Sequence, residues 1–390
     1  MVENKKLKSC INILKELVAF DVLGGESNLE IIDYIVALLL DHDIEYHLIP
    51  NEDLSKTSLL CRIGPAVDGG LILSGHTDVV PVEGQQWHTK PFKLTKIDDK
   101  LYGRGSCDMK GFVACCLVSI ELFSKSKLRK PIYFAFSYDE EIGCLAGPEL
   151  AAAVNKKYTE KPEFAIIGEP SLMQPVVGQK GICVLETIVN GSAGHSSRIR
   201  QEVSAIHVAA RLISWLESRM DVYADGDIKD ERFNPPHSSI HVGKIFGGIA
   251  PNVIADKCTF YWDVRVIPRH DVRKIISEFN DYCQMVELEL RERFSDFGII
   301  TREDHPPVPP LGTEDNSPVV DLIRKITGNH DLQTVAYAAE AGQFSNEGFK
   351  TVICGPGDIA QAHRANEFVA IDQLEECIVM MENLAKEFSK

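Results

Sequence analysis

An apolar run that leads into a histidine–aspartate pair constrains this chain more than any other feature. The segment Leu71–Leu73 has the character of a buried strand, and Ser74 and Gly75 end it. His76 and Asp78 follow two residues apart, so in extended backbone both side chains project to the same side. Asp78 can therefore hold the His76 imidazole, as carboxylates do behind metal-bound histidines. This spacing predicts that His76 is a metal ligand at the end of a strand.

Length, charge and cysteine content limit the classes of function. The chain has 390 residues, which is long for a single hydrophobic core, so we expect two domains. Its net charge of -16 argues against nucleic acid or an anionic membrane surface as a partner. The 11 cysteines include no Cys-x-x-Cys pair, which favours buried, reduced thiols over disulfides or a thiolate metal site. Because Met1–Phe20 lacks the pattern of a signal peptide and no apolar run has membrane-spanning length, we expect a cytoplasmic protein.

The opening arrangement recurs, since other strand-like apolar runs also end in a glycine or turn that bears a potential ligand. The side chains that follow these other runs are Glu140, Glu141, Glu169 and His363. Asp108 directly precedes an apolar stretch at 112–123 that is typical of a buried helix, where a carboxylate suits the positive end of the helix dipole. Helical patterns between the runs predict an α/β fold, a mostly parallel mixed sheet flanked by helices. Such folds place their sites outside the carboxyl ends of the strands.

The middle of the chain has a different pattern. Between residues 181 and 297 the order is strand, helix, strand, strand, helix, and a strand near residue 300 would complete it. This predicts an inserted α+β domain of the ferredoxin-like kind. Residues 1–180 and 298–390 would then form the catalytic domain. The proline-rich segment 305–310 would be a stiff connection back to it.

The candidate ligands are two histidines and three carboxylates: His76, Asp108, Glu141, Glu169 and His363. Such nitrogen and oxygen donors suit zinc, cobalt or manganese. One catalytic zinc keeps an open position, so five ligands suit two divalent cations that share one carboxylate. A water between two cations becomes a nucleophile near neutral pH, and Glu140 could serve as its general base. Each residue alone has an ordinary structural explanation, but five at successive strand ends predict a metal site.

Four motifs resemble those of the dinuclear zinc aminoacylase and carboxypeptidase family. They are Gly75–Pro81, Gly103–Gly111, Asp139–Glu141 and Gly168–Ser171. The resemblance implies that Asp108 bridges two ions, expected to be Zn²⁺ with Co²⁺ or Mn²⁺ as alternatives. It assigns Glu141 and His363 to one ion, and His76 and Glu169 to the other. It further implies that Glu140 is the general base and then the acid to the leaving amine, while Asp78 orients His76.

The same resemblance implies that the inserted domain, residues 181–297, is a lid that forms a homodimer. His195 would reach the site of the partner subunit and stabilise the tetrahedral oxyanion, as hydrogen-bond donors do in such sites. Asn252 and Arg265 would hold a substrate carboxylate, and arginine suits that bidentate role.

The C-terminal motifs resemble those of the acetylornithine deacetylase branch of the family. They are Tyr337–Gly342, Cys354–Gly357, Gln361–His363 and Glu367. This implies that a metal-bridged hydroxide removes the acetyl group from N2-acetyl-L-ornithine, a small-molecule N-acyl amino acid of arginine biosynthesis. The products would be L-ornithine and acetate, and Glu340 would face the substrate ammonium group.

Two further interpretations remain open at this point. Within the same class, the substrate could be succinyl-diaminopimelate, or the enzyme could be a broad N-acyl-amino-acid hydrolase. In a different class, a non-catalytic protein could use its metals only to bind a ligand or to stabilise its fold. The presence of Glu140 argues against that class, because binding alone requires no base.

Overall fold

The computed structural model describes residues 5–390, and these divide into two compact units. The larger unit contains the described residues up to Gly178 together with Leu311–Thr334 and Ala339–Lys390. The smaller unit contains Gln179–Pro310 and Val335–Ala338. Residues 1–4, with which the predicted catalytic domain begins, lie outside the described residues.

The helices and strands of the described residues are numbered in chain order. The helices are α1 (Lys5–Ala19), α2 (Leu29–Leu40), α3 (Lys110–Val118), α4 (Ile120–Lys125), α5 (Gly147–Lys157), α6 (Ala205–Asp225), α7 (Val272–Arg291), α8 (Pro318–Thr327), α9 (Ala341–Asn346) and α10 (Ile371–Phe388). The strands are β1 (Tyr46–Pro50), β2 (Thr57–Ile63), β3 (Leu71–His76), β4 (Thr95–Ile97), β5 (Lys100–Tyr102), β6 (Ile132–Ser137), β7 (Phe164–Pro170), β8 (Val176–Gln179), β9 (Gly181–Asn190), β10 (Gly194–His195), β11 (Ser239–Gly247), β12 (Val253–Ile254), β13 (Lys257–Val266), β14 (Gly298–Glu303), β15 (Leu311–Gly312), β16 (Gln333–Val335), β17 (Lys350–Gly355) and β18 (Phe368–Ala370).

The larger unit is organised around a mixed sheet, whose nine described strands follow the order β1-β2-β6-β3-β7-β17-β8-β15, with β16 paired to β8. The central neighbours β6, β3, β7 and β17 are parallel to one another. Antiparallel pairs flank them on both sides. Every residue of β3, β6 and β7 is buried, which explains why these strands are continuous apolar runs in the sequence. The predicted α/β fold is therefore confirmed.

Helices cover both faces of this sheet. On one face α1, α3 and α10 pack together over a core that includes Leu71 and Leu73 of β3. Ile72 lies between them, is fully buried and points the opposite way, because side chains alternate along a strand. That second face is covered by α5 and α9, which contact each other and the sheet.

The smaller unit has a four-stranded antiparallel sheet in the order β11-β13-β9-β14. With α6 and α7, its elements follow the order strand, helix, strand, strand, helix, strand, which is the ferredoxin-like arrangement. Along β9, buried and half-buried residues alternate, as expected of a sheet with one face against helices. A separate two-stranded ribbon joins β10 to β12.

The smaller unit continues beyond its predicted end at residue 297. Strand β14 begins at Gly298 and pairs with β9 from Gly298–Asn190 to Glu303–Leu185. The boundary at residue 297 falls too early because it separates the strand expected near residue 300 from the sheet that this strand completes. The unit extends to Pro310, so the proline-rich segment belongs to it.

The cysteines and the absence of a membrane-spanning helix are two further expectations on which the described residues bear. All 11 cysteines lie within the described residues, and each is free and buried. Among residues 5–390, no helix combines the length and the apolar character needed to cross a membrane.

Candidate metal centre

The predicted ligands meet at one edge of the central sheet. The parallel strands β6, β3, β7 and β17 are neighbours, so their carboxyl ends lie side by side. Asp108 is added from the segment that precedes α3, and its peptide bond to Met109 is cis. The strand ends supply His76 (β3), Glu140 and Glu141 (after β6), Glu169 (β7) and His363 (after β17).

The carboxylate of Asp108 lies between the two histidines. Its Oδ1 is 3.1 Å from His76 Nε2, and its Oδ2 is 3.6 Å from His363 Nε2. Each histidine also approaches a second carboxylate, with Glu169 Oε1 3.9 Å from His76 Nε2 and Glu141 Oε2 2.9 Å from His363 Nε2. The site is thus two half-sites of one histidine and one glutamate each, and Asp108 is common to both.

The donor atoms are close enough to hold cations. Ligand atoms of His76, Asp108 and Glu141 lie within 4.8 Å of one another. Those of His76 and Glu169 lie equally close to each other and to the carboxylate of Glu140, the expected base. Glu169 Oε1 is buried and has no hydrogen-bond partner. Buried polar atoms are rarely left without a partner, and a cation would supply one here. The residues present therefore fit a pair of divalent cations.

The charges of the site oppose one another when no cation is bound. Burial, reinforced by the charge of Asp108, raises the pKa of Glu141 to about 6. Burial and neighbouring carboxylates raise the pKa values of Glu140 and Glu169 well above their usual range. Burial also acts to raise the pKa of Asp108, but hydrogen bonding and charge from His76 outweigh it and the pKa is lowered. Bound cations would relieve this repulsion and displace protons from the ligands.

Asp78 fixes the turn that carries the two glutamates. Its Oδ1 and Oδ2 accept hydrogen bonds from the main-chain nitrogens of Glu140, at 3.2 Å, and Glu141, at 3.1 Å. The main-chain oxygen of Asp78 lies 2.9 Å from His76 Nδ1, whereas its carboxylate is 3.6 Å from that nitrogen. Asp78 therefore contacts His76 chiefly through its main chain, and its carboxylate orients Glu140 and Glu141.

The side chain of Glu140 has a nearby thiol as its partner. Cys144 Sγ donates to Glu140 Oε1 at 3.3 Å, and the main-chain oxygen of Cys144 accepts from Gln343 Nε2 at 2.9 Å. Glu340 adds charge that contributes to the raised pKa of Glu140. The side chain of Glu340 is only 1% exposed, and its burial raises its own pKa to about 7. The contact between Glu340 and a substrate ammonium group stays a prediction.

The remaining predicted residues, His195, Asn252 and Arg265, lie in the smaller unit. The first two are brought together in the β10–β12 ribbon, where the nitrogen of Ser196 donates to the main-chain oxygen of Asn252 at 3.0 Å. His195 is exposed. Arg265 Nε lies 3.4 Å from Asp263 Oδ1 on the same strand. Their contacts with a substrate stay predictions.

Two buried residues were not assigned to the site from the sequence. Arg104 and Glu367 form an ion pair at 2.7 Å, and each is 1% exposed. Arg104 lies in the glycine motif before Asp108, and Glu367 follows His363 by four residues. Both residues belong to motifs on which the family resemblance rests, and this was the available signal.

The sequence from residue 72 to residue 387 matches peptidase family M20/M25/M40. The chain belongs to this family. This confirms the resemblance drawn from the motifs and identifies the protein as a hydrolase.

Two relatives of this M20 hydrolase match it over nearly its whole length. It is 32% identical to an acetylornithine deacetylase of Photorhabdus laumondii over 379 residues, which covers 94% of each chain. It is also 32% identical to an acetylornithine deacetylase of Myxococcus xanthus over 387 residues, which covers 96% of each chain. Among solved structures, an M20 family metallo-carboxypeptidase of Sulfolobus solfataricus superposes with a TM-score of 0.76 at 20% identity, covering 99% of this chain and 100% of that one. This last similarity supports the fold.

Replacing Asp108 by asparagine should weaken the binding of both cations, because the carboxylate contacts both half-sites. We expect the affinity for each Zn²⁺ to fall at least ~10-fold, the lower limit seen when even a group behind a ligand is removed. Titration of metal-free protein with Zn²⁺ in competition with a chromophoric chelator measures this. Asp98→Asn, which removes an exposed carboxylate of the same unit, should bind as the wild type does. Loss of only one ion in Asp108→Asn would contradict the shared role.

Proposed function

We propose that this M20 hydrolase removes the acetyl group from N2-acetyl-L-ornithine, giving L-ornithine and acetate in arginine biosynthesis. The observation that carries this choice is the similarity to acetylornithine deacetylases, at 32% identity over 94% and 96% of the chain. The candidate metal centre supports amide hydrolysis as the reaction. Its closely spaced His76, Asp108 and Glu141 are donors that suit hydrolytic cations.

Two divalent cations are the proposed cofactors, expected to be Zn²⁺ with Co²⁺ or Mn²⁺ as alternatives. Glu141 and His363 would hold one ion, His76 and Glu169 the other, and Asp108 both. When bound, the cations would polarise the acyl carbonyl and lower the pKa of water in the site. Support comes from the 3.1 Å and 3.6 Å contacts that place one Asp108 oxygen beside each histidine.

Glu140 is the proposed general base. It would accept a proton from the attacking water and pass it to the amine nitrogen as the carbon–nitrogen bond breaks. Two contacts support this role, since Asp78 fixes its main chain and Cys144 Sγ donates to its Oε1.

The smaller unit is proposed to act as a lid and to form a homodimer. Strand β11 is at the edge of its sheet and exposes apolar side chains, including Ile245, 50% exposed, and Phe246, 61% exposed. Exposed apolar residues on an edge strand are typical of an association surface. In this proposal His195 stabilises the oxyanion in the partner's site, Asn252 and Arg265 hold the substrate carboxylate, and the enzyme acts in the cytoplasm.

A substrate panel on zinc-reconstituted protein tests the choice of substrate. We expect kcat/KM for N2-acetyl-L-ornithine to exceed that for succinyl-diaminopimelate and for acetylated amino acids without a side-chain amine. Acetate release and amine formation measure the rates. Equal rates across the acetylated substrates would indicate a broad N-acyl-amino-acid hydrolase, and a preference for the succinyl substrate would indicate a desuccinylase; either result would contradict the proposal.

Replacing Glu140 by glutamine tests whether the protein is a catalyst with a carboxylate base. The variant should bind Zn²⁺ as the wild type does while kcat falls by about 10²–10⁴, the usual contribution of a general base. Metal analysis and steady-state kinetics, with Asp98→Asn as a matched control, separate the two effects. A kcat within a few-fold of the wild type would remove Glu140 from the mechanism.

A further inference from the structure

The segment Gly103–Asp108 carries the shared carboxylate but belongs to no strand or helix. It runs from the end of β5 to the start of α3 as turns. Such a segment needs other contacts to hold a side chain within the tolerance that a metal site requires.

Glu367 supplies most of those contacts, while the main-chain nitrogen of Arg104 donates instead to the main-chain oxygen of Pro91 at 2.8 Å. Its Oε1 accepts the main-chain nitrogens of Cys107, at 2.8 Å, and Asp108, at 3.1 Å. Its Oε2 accepts the main-chain nitrogen of Gly105 at 2.9 Å, and its main-chain oxygen accepts that of Gly103 at 3.0 Å. Glu367 therefore accepts hydrogen bonds from four of the six main-chain nitrogens of the segment, including that of Asp108 itself.

Arg104 balances the buried charge of Glu367 and extends the network to a second ligand. Its Nη1 pairs with Glu367 Oε2 at 2.7 Å, and its Nη2 donates to Gln85 Oε1 at 2.7 Å. Gln85 Nε2 in turn donates to the main-chain oxygen of His363 at 2.9 Å. Arg104 Nη1 also lies 3.3 Å from the main-chain oxygen of Arg364.

We propose that the buried Arg104–Glu367 pair is a positioning device that fixes Asp108 relative to His363, and that it thereby sets the affinity of the centre for its cations. Neither the guanidinium of Arg104 nor the carboxylate of Glu367 bonds to the ligand side chains of the half-sites. The pair acts through main-chain groups of the ligand segments, and bonds to a charged acceptor are the strong ones. This inference rests on the metal centre proposed above, but it does not depend on which acyl amino acid is hydrolysed.

Glu367→Gln tests the proposal because it keeps the size of the side chain. The substitution replaces one carboxylate oxygen, which accepts from main-chain nitrogens, with an NH₂ group that cannot accept from them. We expect the affinity for Zn²⁺ to fall ~10–100-fold, the usual loss for a group that orients a ligand. We also expect kcat to fall with KM changed by less than ~3-fold, since the substrate is not contacted. Zn²⁺ titration of metal-free protein with a competing chelator gives the affinity, and the thermal midpoint of metal-free protein gives the stability.

Glu160→Gln is the matched control. Glu160 is a buried carboxylate of the same unit, 7% exposed, and it also pairs with an arginine, Arg62. Its bonds go to Tyr133 and Thr159 and not to a ligand segment. The Glu160→Gln variant should have a lower thermal midpoint, as Glu367→Gln does, but its affinity for Zn²⁺ should equal that of the wild type.

Glu367→Asp serves if the glutamine variant does not fold. It keeps the charge opposite Arg104 but withdraws the oxygens from the main-chain nitrogens, so Zn²⁺ affinity should again fall. The proposal would be overturned by a folded Glu367 variant that has a thermal midpoint like that of Glu160→Gln and binds Zn²⁺ within ~3-fold of the wild-type affinity. A wild-type protein that binds no Zn²⁺ would overturn the centre itself, and this inference with it.

Discussion

The carboxylate of Asp108, held between two histidines, is the contact on which the rest of this site depends. Its two oxygens approach His76 Nε2 at 3.1 Å and His363 Nε2 at 3.6 Å, so one side chain joins residues from distant parts of the chain. Burial, reinforced by repulsion from neighbouring carboxylates, raises the pKa of Glu141 to about 6. A protein keeps such a cluster of carboxylates when bound cations offset the repulsion.

The sheet explains why these residues meet at all. Four adjacent parallel strands end at one edge, and each delivers one or two polar side chains there. The strands are buried and held by their neighbours in the sheet, whereas the segments beyond them leave the sheet and need other contacts. Asp78 fixes the turn of Glu140 and Glu141, and Glu367 fixes the segment of Asp108, each by accepting main-chain hydrogen bonds. The same device, a buried carboxylate behind a ligand segment, is used on both sides of the site.

The parts of this structure that short segments encode could be predicted from the sequence. In a run such as Leu71–His76, the apolar residues that predict a buried strand and the ligand at its end lie within a few residues. The α/β fold could therefore be predicted and the ligand set proposed. Contacts between distant segments could not be predicted. Glu367 lies 263 residues from Arg104, and the register of β14 against β9 joins the two ends of the smaller unit. The apolar stretch 112–123, expected to be one helix, is α3 and α4 separated at Ser119, whose hydroxyl bonds the Cys115 main-chain oxygen at 2.8 Å.

Anomalous diffraction from zinc-loaded crystals tests the central claim most directly, because it locates the cations without reference to activity. The account predicts two peaks about 3.5–4 Å apart, the usual spacing in two-metal sites, with one Asp108 oxygen bound to each. A single peak, or two peaks of which only one contacts Asp108, would contradict it.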